Sequence, residues 1–321
     1  MSVGRIDFRL MAPFKTPTEI INDNRDDTEI RLLKRYFDKA KRWRRAQIAV
    51  QDDFQAWIGG GQFNFMVPQV QRLSSHLWGT WPIDGTRFTN DIFRATNNYL
   101  WGIHGDLGHF NAFGNGQAEP RQHLATDIAK ELSDDNPRGM FQLHYGSYFG
   151  EWFHWDSDVL RVCLGMTNTV LTATMLEAGT RLDRFHLGAP YGATLADAFA
   201  ASANTSSRYA AVLGDPFVRE HPLAPVAALT LTKASPNVVL SWSAQSAATH
   251  GYRICRASST NSPSWTWLTD VSTGSTGWTH SSPGNGTYAY LIKALSLKTT
   301  GSGSYTNSSL GTFSSNEITL P

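Results

Sequence analysis

The stretch FQLHYGSYFGEW, residues 141–152, runs from an apolar segment into a turn bounded by glycines. Its first part has the composition of a buried strand, and residues 139–147 are predicted to form one. Gly146 and Gly150 lie on either side of Ser147, and a small nucleophilic residue at the end of a strand is a frequent arrangement at catalytic sites. Ser147 is therefore a nucleophile, the remnant of one, or a turn residue.

A second strand end with useful chemistry lies upstream, in NYLWGIHG, residues 98–105. Helical and strand patterns alternate over residues 1–215, which is typical of an α/β fold with a mostly parallel sheet flanked by helices. Such folds place their sites at the carboxyl ends of the strands. His104 and Ser147 are thus a candidate base and nucleophile, and the N–H of Gly105 is a candidate donor to a carbonyl oxygen.

The sequence changes character after GDPFVREHPLAPVAAL, residues 214–229. Alternating runs separated by Gly, Ser, Asn and Pro follow, at the spacing of a seven-stranded β-sandwich. We predict an α/β domain over residues 1–221 and an all-β domain over 222–321, with Trp242 and the tyrosines of GTYAY (286–290) in its core. The runs LSW, GYRICR, GTYAYLIKA and SSNEITL resemble a fibronectin type III module.

Residues 28–45 are predicted to form an amphipathic helix, followed by a strand over 46–51. Its apolar face is assigned to Ile30, Leu33, Phe37 and Ala40, which recur at helical spacing. The eight Lys and Arg residues from Arg31 to Arg45 are interpreted as its solvated face, with phosphate binding as a lesser alternative.

Composition excludes several classes of function. Lys and Arg number 28 against 27 Asp and Glu, a balance that argues against a dedicated nucleic-acid binder. The sequence contains no apolar run long enough for a transmembrane helix. The two cysteines, Cys163 and Cys255, fall in different predicted domains, so a disulfide framework is not expected, and Cys163 is interpreted as a small core residue.

The residues 3–218 resemble the gingipain-like cysteine peptidases, which have a caspase-like fold. The resemblance is carried by an ordered series of segments: VGRIDF (3–8), AQIAVQDD (46–53), NNYLWGIHGD (97–106), GMFQLHYGSYFGEW (139–152) and YAAVLGDPFV (209–218). The abrupt start in MSVGRIDF leads us to expect that an upstream part of the sheet precedes Met1 in the natural protein.

This resemblance implies that His104 is the catalytic base and that Ser147 occupies the position of the cysteine nucleophile. Because a serine hydroxyl is a far poorer nucleophile than an ionised thiol, it also implies a peptidase homologue with impaired catalysis, a pseudoenzyme. The family and the fibronectin-like module together imply a secreted or cell-surface protein with a protein or peptide ligand. The alternatives are an active hydrolase that uses His104 and Ser147, and a surface module that binds carbohydrate or protein, cell-surface glycans included.

Further candidate residues are weighed against simpler structural roles. Asp52 is predicted to end a strand and line the substrate pocket, with a solvated turn as the alternative. Glu151 and Trp152 belong to an acidic and aromatic cluster that is a sugar platform, a carboxylate pair for glycoside hydrolysis or, more simply, a loop packed near the site, where it would bind substrate. The spacing of His104, His109 and His123 is not that of a helical zinc motif, so we expect no metal at these residues and no cofactor. The sequence does not decide whether the protein binds a structural calcium ion.

Overall fold

The computed structural model describes residues 8, 25–50, 52–58, 98–105, 108–109, 112–113, 123–124, 139–145, 159–165, 169, 171–175, 192–203, 210–300 and 303–321. The chain divides into two compact units. The N-terminal unit comprises Met1–Trp43, Ile48–Glu220 and Thr300–Gly303, and the C-terminal unit comprises Arg44–Gln47, His221–Thr299 and Ser304–Pro321. The main division lies between residues 220 and 221, whereas the sequence placed it between 221 and 222.

The described elements of the N-terminal unit are three helices and eight strands. They are α1 (Arg25–Arg44), β1 (Asp52–Ile58), β2 (Tyr99–Gly105), β3 (Gly108–His109), β4 (Ala112–Phe113), β5 (His123–Leu124), β6 (Gly139–Tyr145), α2 (Val159–Gly165), β7 (Leu171–Met175), α3 (Leu195–Ala203) and β8 (Ala210–Gly214).

Five of these strands form one sheet, in the order β1-β2-β6-β7-β8. The first four strands run parallel to one another, and β8 pairs antiparallel with β7. The short strands β3, β4 and β5 form a separate antiparallel sheet. Among the described strands of the five-stranded sheet, β1 and β8 are the edges and β2 and β6 lie inside it.

Helix α1 buries a face that matches the predicted one only in part: of the predicted residues Ala40 is buried and Leu33 is half-buried. Leu32, Tyr36 and Trp43 are buried, whereas Ile30 and Phe37 are 48% and 59% exposed. Both sets of residues recur at helical spacing. Only the observed set forms hydrogen bonds with backbone groups elsewhere in the unit. The Tyr36 hydroxyl accepts a hydrogen bond from the N–H of Asp215, and Trp43 Nε1 donates to the carbonyl oxygen of Arg219 at 2.9 Å.

Truncating a buried side chain of α1 should lower the free energy of unfolding substantially, whereas truncating an exposed side chain of the predicted face should not. Leu32→Ala removes a side chain that is 0% exposed, so we expect the free energy of unfolding to fall by about 2–5 kcal/mol. Ile30→Ala, the matched exposed control, should change it by less than about 0.5 kcal/mol. Urea unfolding of both variants measures the difference, and equal losses would contradict the observed helix orientation.

Strands are the only regular elements among the described residues of 221–321. They are β9 (Leu229–Ala234), β10 (Asn237–Trp242), β11 (Gly251–Ala257), β12 (Thr266–Val271), β13 (Gly277–His280), β14 (Gly286–Thr300), β15 (Gly303–Ser308), β16 (Thr312–Phe313) and β17 (Ile318–Leu320).

These strands form a sandwich of two antiparallel sheets. One sheet has the order β13-β10-β9, and the other has the order β12-β11-β14-β15, with β16 and β17 also paired to the long strand β14. The described sandwich thus has nine strands instead of the seven expected from the sequence, and β15, β16 and β17 all pair with β14.

The sandwich core contains the aromatic residues that the sequence placed there. Trp242, Tyr288 and Tyr290 are all buried, and the ring of Trp242 packs edge-on against Tyr252 at 5.5 Å between centroids. The Tyr288 hydroxyl donates to the carbonyl oxygen of Pro283 at 2.9 Å, which ties the start of β14 to the loop before it. A tyrosine that hydrogen-bonds a few residues upstream is a recurrent feature of immunoglobulin-like sandwiches.

None of the described helices combines the length and the apolar character that a membrane-spanning helix requires.

Candidate functional site

Strands β2 and β6 are built as interior strands of a parallel sheet. Consecutive residues in each are buried, which means that both faces of the sheet are covered: Tyr99, Leu100 and Trp101 on β2, and Met140, Phe141, Gln142 and Leu143 on β6. This pattern explains why both strands were predicted closely from their mostly apolar composition, as 98–105 and 139–147.

The carboxyl ends of β2 and β6 lie at the same edge of the sheet. In the parallel register His104 is level with His144, and Gly105 is level with Tyr145. Gly105 is the last residue of β2 and Tyr145 the last of β6, two positions before Ser147 in the sequence. The backbone therefore brings the His-Gly segment and the segment that leads to Ser147 to neighbouring positions.

An aromatic cluster fixes β2 and β6 against α1. The Phe141 ring lies 5.3 Å from that of Trp43 and 5.2 Å from that of Trp101. Trp101 Nε1 donates to Glu220 Oε1 at 2.7 Å, and both residues are buried. Because Trp101 lies three residues before His104, this packing also limits how far the end of β2 can shift.

A buried hydrogen-bond chain holds the start of β6. Gln142 Nε2 donates to Thr169 Oγ1 at 2.9 Å, and Thr169 Oγ1 donates to the carbonyl oxygen of Gly139 at 2.8 Å. A Cβ on Gly139 would lie 2.6 Å from Cε2 of Tyr99, so the buried Tyr99 ring requires a glycine at this position. These contacts set the register of β6 with β2.

His144 is a site-adjacent residue that the sequence analysis missed. It is level with His104 on one side and with Thr174 on the other, and it is buried. Burial lowers the pKa of His144 to about 3, so its imidazole stays neutral near pH 7. The available signal was a titratable residue inside a mostly apolar strand, three positions before Ser147.

The buried His144 predicts a pH-dependent stability. Its pKa lies below the unfolded value of about 6.5, so between these two values the unfolded chain binds a proton that the folded chain excludes. Stability should therefore fall as the pH drops below about 6.5. In His144→Gln, the plot of unfolding free energy against pH should be shallower by about 1.4 kcal/mol per pH unit between pH 4 and 6. Urea unfolding over this range measures both slopes, and identical slopes would contradict a neutral, buried His144.

Asp52 does not lie where the sequence analysis placed it. The predicted strand 46–51 is wrong: the strand begins at Asp52 and extends to Ile58. Asp52 is level with Tyr99, the first residue of β2, so it lies about 17 Å along the strands from the level of His104. The structure thus places Asp52 and His104 toward opposite ends of the sheet. Ser147, Glu151 and Trp152 lie outside the described residues, and their predicted roles stay predictions.

The basic run of α1 is not entirely solvated. Lys39 is buried, its Nζ donates to the carbonyl oxygen of Leu164 on α2, and it lies 5.3 Å from the Tyr36 ring centroid. Burial lowers the pKa of Lys39 well below its usual value. Cys163, also on α2, is fully buried and free of disulfide bonds, as expected for a core residue.

Comparison with known proteins gives only partial structural likenesses. No protein-family model and no curated protein matches the chain. Pectate lyase Pel3 from Pectobacterium carotovorum is 18% identical over 27% of this chain and 26% of its own, with a TM-score of 0.21. Pectate lyase PelI from Erwinia chrysanthemi, in complex with tetragalacturonic acid, is 15% identical over 29% of this chain and 26% of its own, also with a TM-score of 0.21.

A Fn3-like protein from Clostridium thermocellum is similar over nearly its whole length. It is 18% identical over 30% of this chain and 94% of its own, with a TM-score of 0.21. The chain spans about a quarter of the length of the two pectate lyases.

Proposed function

We propose that the N-terminal unit is a homologue of the gingipain-like cysteine peptidases with a caspase-like sheet, and that its catalysis is impaired. In this proposal His104 is the base, Gly105 contributes a backbone N–H, and Ser147 stands at the nucleophile position. The C-terminal unit is a fibronectin type III-like module, and the whole is part of an exported or cell-surface protein that binds protein or peptide.

The observation that supports this proposal best is the pairing of β2 with β6. The family resemblance requires the strand with the His-Gly pair to lie beside the strand that leads to the nucleophile. β2 and β6 are parallel neighbours whose last residues, Gly105 and Tyr145, are level. The strand that runs into Gly-Asp-Pro (214–216) is β8, which pairs with β7 and lies at the edge of the described sheet.

The electrostatics of the strand ends favour a base at His104. His144 is neutral near pH 7, so it places no positive charge beside the backbone position of His104. A second imidazolium at that level would oppose protonation of His104. The impairment follows from the hydroxyl of Ser147, because a serine needs a base that is well oriented by a third group, and the resemblance supplies no such acid.

We expect the wild-type chain to cleave no peptide. A pool of peptide substrates of varied sequence, analysed by mass spectrometry, should give the same background with the wild type, Ser147→Ala and His104→Ala. Cleavage by the wild type that both substitutions abolish would contradict impairment and establish the alternative, an active hydrolase that uses His104 and Ser147. Cleavage that neither substitution changes would remove both residues from the reaction.

A further inference from the structure

The larger sheet of the sandwich carries an exposed aromatic ring at each end of one cross-strand row, on the face turned away from the core. Tyr252, Ile254, Tyr290 and Ile292 point into the core, so the alternate residues of β11 and β14 point outward. On that outer face, Trp267, Cys255, Leu291 and Phe313 lie level with one another across four adjacent strands. Trp267 is 61% exposed and Phe313 is 51% exposed, whereas Cys255 and Leu291 between them are buried.

Trp265 extends the aromatic surface at Phe313. Its ring centroid is 5.4 Å from that of Phe313, although Trp265 precedes β12 and Phe313 is on β16. Trp267 and Phe313 are three strand spacings apart, or about 14 Å. We call these three side chains, Trp265, Trp267 and Phe313, the aromatic platform.

The most exposed ring of the platform is held in place. The Arg253 guanidinium lies 5.0 Å from the Trp267 ring centroid, and Trp267 Nε1 donates to Asp270 Oδ1 at 3.1 Å. Arg253 and Asp270 form a bidentate pair with two bonds of 2.9 Å. A ring that is braced by a cation and by its N–H loses little side-chain entropy when a ligand stacks on its exposed surface.

The Arg253–Asp270 pair keeps hydrogen-bonding capacity for a ligand. A guanidinium has five donors and a carboxylate has about four acceptor sites. Three hydrogen bonds among Arg253, Trp267 and Asp270 use two of those donors and three of those acceptors. The capacity that remains is mainly donors on Arg253, with one acceptor site on Asp270. This combination suits hydroxyl groups, because each can both accept and donate a hydrogen bond.

The size of the platform argues against a stable protein interface. A large aromatic side chain buries about 150–250 Å² in full, so the exposed parts of Trp267 and Phe313 together offer about 200–300 Å². A specific protein interface takes about 800 Å² from each partner. The platform instead has the scale and composition of a ligand site, with aromatic surface and a few placed polar groups.

We propose that the aromatic platform binds an extended polysaccharide chain. A pyranose ring has one apolar face of C–H groups, which would stack on Trp267 and Phe313, and hydroxyls at its rim, which would reach Arg253 and Asp270. The span of about 14 Å is too long for one sugar ring and requires an oligomer. Lys293, level with Arg253 on the same face, adds a positive charge that favours an acidic chain. This inference is independent of the site at His104 and Ser147.

Affinity gel electrophoresis of the full chain tests the proposal. The gels contain alginate as an acidic polysaccharide or hydroxyethylcellulose as a neutral one, at physiological salt. We expect retardation of the wild type in at least one gel, and binding weakened roughly tenfold or more by Trp267→Ala and by Phe313→Ala. Phe37→Ala, which removes a 59% exposed aromatic ring from α1, is the matched control and should bind like the wild type.

Any of three other outcomes would overturn the proposal. No retardation in either gel would leave the platform without a polysaccharide ligand. Retardation that survives both platform substitutions would place the binding elsewhere, for example on the basic face of α1. A concentration-dependent increase in mass that Trp267→Ala abolishes, measured by light scattering without polysaccharide, would assign the surface to self-association instead.

Discussion

Trp242→Ala is expected to lower the free energy of unfolding of the C-terminal unit by about 3–5 kcal/mol, a large part of the stability of a domain of this size. Trp242 is 6% exposed and lies in the core between the two sheets, beside Leu240, Tyr252 and Tyr290. Alanine would leave a cavity that the neighbouring strands cannot close, because both sheets are held by continuous antiparallel ladders.

Trp242→Phe is the matched control for this loss. No acceptor among the described residues hydrogen-bonds the buried Nε1 of Trp242, so phenylalanine removes a polar group that gains nothing from burial. We expect a cost of roughly 1.5 kcal/mol or less, since most of the ring volume is kept. Guanidinium unfolding followed by near-UV circular dichroism measures both variants. A small loss in Trp242→Ala would contradict a core built around this residue.

The strands of the candidate site were predictable from the sequence because their signal is local. β2 and β6 are mostly apolar runs, and their observed limits lie within two residues of the predicted ones. Several sandwich strands were visible too: β10, which carries Trp242, has a clear period of two, and β14 is a long apolar run around Tyr290.

The errors arose where distant residues decide the outcome. The buried face of α1 depends on the backbone at Asp215 and Arg219, which supply a donor to Tyr36 and an acceptor for Trp43 from more than 170 positions away. The start of β1 was missed because Asp52 and Asp53 resemble a turn. Among the described strands β1 pairs with β2 alone, and charged residues are common on such edge strands.

The role of His144 could not be predicted because it depends on register. Only the pairing of β6 with both β2 and β7 buries this imidazole and places it level with His104. The resemblance to peptidases supplied His104 and Ser147, whereas the aromatic platform could be identified only once the register had placed Trp267, Leu291 and Phe313 in one row.

Ser147→Cys should create a thiol that His104 activates, the largest functional change that we expect from one substitution. A thiol beside an imidazole loses its proton at a lower pH than an isolated thiol, whose pKa is about 8.5. Sulfur replaces oxygen with little change in side-chain shape, so the substitution should be tolerated. The native Cys163 and Cys255 are buried, which keeps background labelling low.

The pH dependence of this labelling separates an activated thiol from one that is merely exposed. Ser272→Cys, in an exposed turn, is the matched control, and its rate with a peptide-based electrophile should rise about tenfold for each pH unit from 5.5 to 7.5. The rate for Ser147→Cys should be nearly flat over that range, because its thiolate is already formed.

The most direct test of the central claim, that His104 acts on residue 147, is the labelling rate of Ser147→Cys with and without His104→Ala at pH 6. We predict that the double variant loses the flat profile and labels roughly tenfold or more slowly at this pH, like Ser272→Cys. A Ser147→Cys thiol whose labelling is unchanged by His104→Ala would contradict the pairing of the two strand ends and, with it, the peptidase-like site.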